Sequence, residues 1–161
     1  MSTNQELELP DKNYTFLQLA FLVILRMFVG YHFLYEGLTK FFNNNWSAEG
    51  FLLQSEGFLS EFFHFIAESP DLLNIANYLN IYGQILIGIG LIIGFGTRVA
   101  SWSGALLLLL YYIANPPSEN FVFIDRNMIE LNAMLILSVF NTSKYIGVDF
   151  LVKKMRSRNN G

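Results

Sequence analysis

Cysteine is absent from the 161 residues. That excludes disulfides, thiol redox chemistry, cysteine-held iron–sulfur clusters and zinc–thiolate sites together. Charge is scarce too. Asp, Glu, Lys and Arg make up 14% of the chain, against about 25% in a soluble domain. With ten Lys and Arg and a net charge of −3, no basic surface is available for nucleic acid. The two histidines, His32 and His64, fall in different segments and have no thiol to join them, so no metal or haem site is expected. Ser, His and Asp occur without a nucleophile motif around them. Any redox role must therefore use a bound organic cofactor or a partner chain.

What fills the chain is apolar. Hydrophobic residues make up 53%, sixteen Phe and eight Tyr among them, and the mean hydropathy is +0.37. A membrane helix needs about 20 mostly apolar residues. Four segments are candidates: residues 16–40, counting a polar outer extension, 75–96, 99–114 and 121–141. The run ILIGIGLIIGF at 85–95 is apolar all round, as suits a helix between lipid and packed neighbours. The first segment follows Glu6, Glu8 and Asp11 and lacks a basic lead-in or a small-residue cleavage site, so it is expected to be retained, not removed as a signal peptide. The fold class expected is all-α: a single membrane domain over residues 1–150, an integral membrane four-helix bundle, followed by a basic tail at 151–161.

Lys and Arg positions set the expected orientation. None occurs between Lys40 and Arg98, whereas Lys144, Lys153, Lys154, Arg156 and Arg158 follow the fourth segment. Both termini are thus expected in the cytoplasm, in a bacterial inner membrane, with residues 42–70 outside. Within that outer stretch Phe51, Phe58, Phe62 and Phe65 recur at near-helical spacing, with Leu52, Leu59, Phe63 and Ile66 beside them. The pattern predicts an extra amphipathic helical segment at about 46–68, or two short helices broken at Gly57, folded over the bundle mouth.

Polar groups inside membrane segments are costly, and so mark structural or functional sites. Helix one holds Arg26 and His32, with Glu36 and Lys40 further out. Helix two carries Asn74, Asn77, Asn80 and Gln84 as one stripe. Helix four carries Asp125, Arg126, Asn127, Glu130 and Asn132. Under the expected topology these converge on a polar site in the outer half of the bundle, accompanied by Tyr31, Tyr35, Tyr78, Tyr82, Tyr111 and Tyr112. The opposite charges Arg26, Lys40 and Arg126 against Glu36, Asp125 and Glu130 suggest mutual pairing. Arg26 is expected to meet Glu130, and Glu36–Lys40 to form an i,i+4 pair on the helix surface. Gly30, Gly37, Gly83, Gly88, Gly90 and Gly94 are expected to allow close helix contact.

Five elements in order resemble one family. They are RMFVGYHFLYEGLTK (26–40), WSAEGFL (46–52), LIGIGLIIGFGTRVA (86–100) with its G-x-x-T/S-R-like turn, YYIANPP (111–117) and FIDRNMIELNAMLIL (123–137) with its N-x-I-E element. Together they are similar to the DoxX family of small four-helix membrane proteins, whose relatives include the membrane subunit of thiosulfate:quinone oxidoreductase. Relatives often carry an acidic residue near the position of Gln84 and a His at that of Asn115. Neither residue here can ionise.

The resemblance implies a protein that passes electrons to the quinone pool or sits beside a redox enzyme. One expectation is a quinone-interacting or membrane-anchoring subunit, with Arg26, Glu36, Asn80, Gln84 and Glu130 around a quinone, and with electrons supplied by a partner protein. The alternative is a non-enzymatic scaffold or assembly component whose charges, Arg26, Glu130, Lys40, Asp125 and Arg126, are structural glue. A small carrier for an apolar molecule is a third reading, which the absence of inverted repeats and broken helices argues against.

Overall fold

The computed structural model describes residues 14–117 and 124–159. Among the described residues there are seven α-helices and no strand: α1 (Phe16–Phe42), α2 (Glu49–Leu53), α3 (Ser60–Glu68), α4 (Pro70–Ile93), α5 (Thr97–Ala114), α6 (Arg126–Val139) and α7 (Val148–Asn159). A single 3₁₀ turn, Thr142–Lys144, lies between the last two.

Local chemistry sets the helix ends. Thr15 and Gln18 form a capping box on α1: Gln18 N donates to Thr15 Oγ1 and Thr15 N to Gln18 Oε1. Pro70 opens α4 at the first helical position, where its missing N–H costs nothing. Gly94 closes that helix with φ +69°, a left-handed conformation that favours glycine.

Helices α1, α4 and α5 are long and apolar enough to cross a membrane. The first expected helix runs two residues longer, to Phe42. The second begins earlier, at Pro70, and stops at Ile93. The third starts at Thr97. The fourth is shorter than expected. Its helical part is Arg126–Val139, about 21 Å at 1.5 Å per residue, and the expected start at 121–123 lies outside the described residues, as do the acidic residues before position 14.

The α1–α4 contact is the most extensive one, and it is antiparallel. It needs glycine. A methyl group on Gly88 would stand 2.5 Å from Leu34 N, and one on Gly30 would stand 2.9 Å from Leu91 Cβ. Such backbone approach is what small residues provide where lipid supplies no hydrophobic drive. Contacts of α4 with α5, α5 with α6 and α6 with α1 then close α1, α4, α5 and the shorter α6 into a ring. Val29, Phe33, Ile87, Leu91, Leu108, Met134 and Leu137 fill its interior. Two ends can be named from this: the α4–α5 turn end and the opposite end, where α2 and α3 sit.

A second, smaller core joins α2 and α3 to the end of α5 through Ala48, Leu52, Phe63, Ala67 and Ala114. Three hydrogen bonds stitch it down. Ala48 N donates to Asn77 Oδ1 at 2.8 Å, Ser55 Oγ to Ala114 O at 2.6 Å, and Asn115 Nδ2 to Phe51 O at 3.3 Å. The expected Phe stripe does not make the inner face. Phe51, Phe58, Phe62 and Phe65 are exposed, Phe58 at 85%, while Leu52 and Phe63 beside them are buried. The physical reason is the non-helical link at 54–59, across which spacings of seven and four no longer keep one helical phase.

Candidate functional site

The polar residues do not gather in one place. They divide between the two ends of the ring.

At the α2–α3 end the centre is Lys40, from the last turn of α1. Its Nζ donates to Asn80 Oδ1 at 2.9 Å and Gln84 Oε1 at 2.7 Å, and stands 3.5 Å from the Tyr111 hydroxyl. The ammonium also lies 5.2 Å from the centroid of the Trp46 ring and 5.7 Å from that of Tyr111, within cation–π range. Gln84 Nε2 donates to Tyr111 at 3.3 Å, so α1, α4 and α5 meet through three side chains. No carboxylate among the described residues lies within 4.0 Å of Lys40 Nζ. The expected Glu36–Lys40 surface pair is thus corrected: the side chain turns inward, because Asn80 and Gln84 on the antiparallel neighbour stand level with it and offer buried acceptors. The rest of the stripe is used differently. Asn77 holds Ala48, and Asn74 is exposed.

Below Lys40 lies a cavity of about 50 Å³ lined by His32, Glu36, Lys40, Gln84, Tyr111, Arg126, Asn127 and Glu130, with Phe33 and Leu108 as its apolar wall. It is large enough for a few waters and has the polar partners to hold them. Glu130 Oε2 stands 3.5 Å from His32 Nε2, and the charged groups Arg126 and Glu36 also act on it. Glu130 is mostly buried, at 13% side-chain exposure, whereas His32 is half-buried, at 36%.

Adjoining this cavity, an open groove of about 510 Å³ runs between α1 and α6. Leu25, Val29, Ile124, Ile129 and Ala133 make it apolar, and His32, Asp125, Arg126 and Glu130 stand along one margin. His32, Arg126 and Glu130 therefore line both spaces, an apolar groove and a small polar chamber side by side. Asp125 is committed elsewhere. Its Oδ1 accepts from Met128 N at 2.8 Å and its Oδ2 from Asn127 Nδ2 at 3.0 Å, which makes it the N-cap of α6 and not the member of a charge pair that was expected.

The expected Arg26–Glu130 pair is also overturned. Arg26 is 2% exposed and lies at the other end, the α4–α5 turn end. Its Nη1 donates to Ile146 O at 2.8 Å and Thr142 Oγ1 at 3.1 Å. Side chains on a helix lean toward its N-terminus. Arg26 therefore reaches away from Glu130, toward the start of α1. Asp149 is the acid that acts on it electrostatically. Around it Ser143 Oγ donates to Asp149 Oδ2 at 2.6 Å, Gly96 N donates to Asp149 Oδ1 at 3.1 Å, and Thr97 Oγ1 lies 2.8 Å from Ser143 Oγ. These groups clasp the α4–α5 turn to the 3₁₀ turn and the start of α7. Gly147, with φ +151°, passes within 3 Å of the space where a Gly94 methyl would sit.

Of the expected ligand set, then, Glu36, Asn80, Gln84 and Glu130 lie together, and Arg26 does not. Three participants were not singled out as part of that set: Lys40 as the central cation, Trp46 beneath it, and His32 as the partner of Glu130. The sequence signal of Lys40 and His32 is their level, since in an antiparallel alignment Lys40 faces the Asn80–Gln84 stripe and His32 faces Glu130; Trp46 carries no such signal. Among the described residues no cluster of His, Cys, Asp and Glu could hold a metal ion.

No curated protein and no solved structure matches the chain. A family model does. It is described as DoxX and matches residues 21–115, which include α1 from its second turn to the end of α5. That is more than half of the chain, and it contains the glycine contact of α1 with α4 as well as Lys40, Asn80, Gln84 and Tyr111; the chain belongs to the DoxX family of integral membrane proteins.

Proposed function

We propose that this chain is a quinone-interacting subunit of a membrane oxidoreductase system. The observation that carries the reading is the apolar groove between α1 and α6 ending on His32, Arg126 and Glu130, which also line the polar chamber under Lys40. A quinone has this division, an apolar tail and a head with two carbonyls, and ligand sites of this kind form between helices. Arg126 and His32 stand where they could donate to a carbonyl. Glu130 could exchange a proton with the head group, and waters in the chamber could carry it past Glu36 toward the α2–α3 end. Reduction of a quinone to its quinol takes two electrons and two protons. A chain without cysteine has no thiol or thiolate-held cluster to supply the electrons, so a partner protein would deliver them.

The same reading places the protein in a bacterial inner membrane. The fourth expected segment, of which α6 is the described helix, would complete a four-helix bundle, the α2–α3 segment would cover the outer mouth, and both termini would be cytoplasmic. The Lys/Arg gap from 41 to 97 and the cations after α6 support this orientation.

A second reading is a non-enzymatic scaffold or anchor. It is favoured by Lys40, whose three donors are directed at Asn80, Gln84 and Tyr111 and which ties α1 to α4 and α5 without any ligand. One experiment separates the two. The protein is purified in mild detergent and its organic extract examined by mass spectrometry. An isoprenoid quinone should co-purify, and Ile129→Trp, which fills the groove from its exposed wall, should remove it while leaving the protein folded. A quinone-free extract, or one unchanged by that substitution, would favour the scaffold.

A further inference from the structure

The final helix plays no part in the groove or the chamber. Along α7, Val148, Leu151, Val152 and Met155 recur at spacings of three, one and three, which places them on one face of the helix. Leu151, Val152 and Met155 are exposed at 54, 46 and 62%, so none of the described residues covers that face. The flanks and the opposite side carry Lys153, Lys154 and Arg156, all exposed. Phe150 falls on the far side of the helix and takes no part. At twelve residues the helix is about 18 Å long, too short to span a bilayer.

Its place in the fold is fixed at one end. Asp149 N donates to Gly94 O at 3.1 Å, and the Asp149 carboxylate accepts from Gly96 N and Ser143 Oγ. Gly94 and Gly96 form the turn between two helices long and apolar enough to cross a membrane. The turn between two consecutive spans lies at a bilayer surface, so α7 begins at that surface.

We infer that α7 lies in the plane of the bilayer and docks on anionic phospholipid headgroups. Leu151, Val152 and Met155 sink toward the acyl chains, while Lys153, Lys154 and Arg156 remain at phosphate level. The charge complementarity selects this occupant. A helix with an open apolar face and a cationic opposite side suits a negatively charged lipid surface, whereas a surface without net charge would leave three cations uncompensated. The Asp149 clasp joins this docking to the bundle: a docked α7 braces the α4–α5 turn through Gly94 and Gly96 and, through Thr142 and Ile146, holds Arg26. The inference does not depend on the quinone reading.

The absence of native cysteine allows a single reporter. The full chain carrying Met155→Cys, labelled with an environment-sensitive fluorophore, is reconstituted in nanodiscs of phosphatidylcholine alone and of phosphatidylcholine mixed with phosphatidylglycerol. The label should be shielded from an aqueous quencher in the mixed discs and markedly less so in the uncharged ones. Each of Lys153→Gln, Lys154→Gln and Arg156→Gln should lower the docked-to-undocked ratio about fivefold in the mixed discs. High salt should act in the same direction. A second label at Gln54→Cys, on the other end of the molecule, should be indifferent to all of these and so reports that the fold is intact. Equal quenching of the Met155 label in both lipids, or no response to the three glutamine substitutions, would overturn the inference and leave that face to a protein partner.

Discussion

Lys40 Nζ stands 2.7 Å from the side-chain oxygen of Gln84, an amide where a carboxylate would have made an ion pair. A charge between membrane helices is thus held by neutral oxygens and two aromatic rings. The first prediction follows from this. Gln84→Glu should raise thermal stability in detergent, since a charge-assisted bond to a carboxylate exceeds one to an amide. Lys40→Met should lower it by about 1–3 kcal/mol, because Asn80 and Gln84 both lose their buried donor. Thermal unfolding of the two variants beside the native chain checks both signs. A destabilised Gln84→Glu variant would mean that the pocket does not accept a second charge.

The corrected partners of Arg26 and Glu130 predict where coupling lies. A double-mutant cycle on Arg26 and Glu130 should give additive losses, to within about 0.3–0.5 kcal/mol, as for independent sites. The cycle on His32 and Glu130 should depart from additivity by more than that. Strong Arg26–Glu130 coupling would contradict the separation of the two ends.

Arg26 itself should act on the C-terminal part of the chain. Arg26→Ala leaves Thr142 and the Ile146 carbonyl without their donor. Hydrogen exchange should accelerate over residues 142–152 and stay unchanged over α2 and α3. Arg26→Lys should protect that region only in part, since the shorter lysine side chain brings its ammonium short of the position from which Nη1 makes both bonds. Uniform acceleration along the whole chain would argue for global destabilisation instead.

Two glycines of α4 should respond in opposite directions to the same substitution. A methyl on Gly88 meets Leu34 N and Gly30 O at 2.5 and 2.8 Å, while one on Gly83 meets nothing within 4 Å. Gly88→Ala should cost about 1–3 kcal/mol by overpacking. Gly83→Ala should gain a few tenths to about 1 kcal/mol from helix propensity. Melting of the pair in one detergent tests the antiparallel α1–α4 register directly.

These variants also show where sequence reasoning reached and where it stopped. The long helices were legible because apolar runs with glycine and proline punctuation report helix length and ends: Gly94 stops α4 in the place that its left-handed backbone demands. The stripe ending in Asn80 and Gln84 was legible from spacing alone. The partner of Arg26 is not legible in this way, because sequence position fixes only the Cα, whereas a side chain of that length reaches a full turn toward the helix start and changes which end of the bundle it serves. Lys40 was misjudged for the opposite reason. Its i,i+4 neighbour Glu36 is visible in one helix, while Asn80 and Gln84 become its neighbours only once α1 and α4 are aligned. The α2–α3 segment is the pair of short helices broken around Gly57 that the pattern allows, but the phenylalanines do not form one inner face, because a break of six residues erases the helical phase between them.

The stitching of the α2–α3 segment has a consequence for how the chamber could be measured. Ala48, Ser55 and Asn115 fasten that segment to α4 and α5, not to α1 or α6. Among the described residues the groove between α1 and α6 is open, and in the quinone reading it opens to lipid. A molecule bound there would arrive dissolved in the membrane, so its effective concentration is its mole fraction in lipid. Titrations at fixed total ligand should therefore shift in midpoint as vesicle lipid is added, and remain unmoved as the aqueous volume changes.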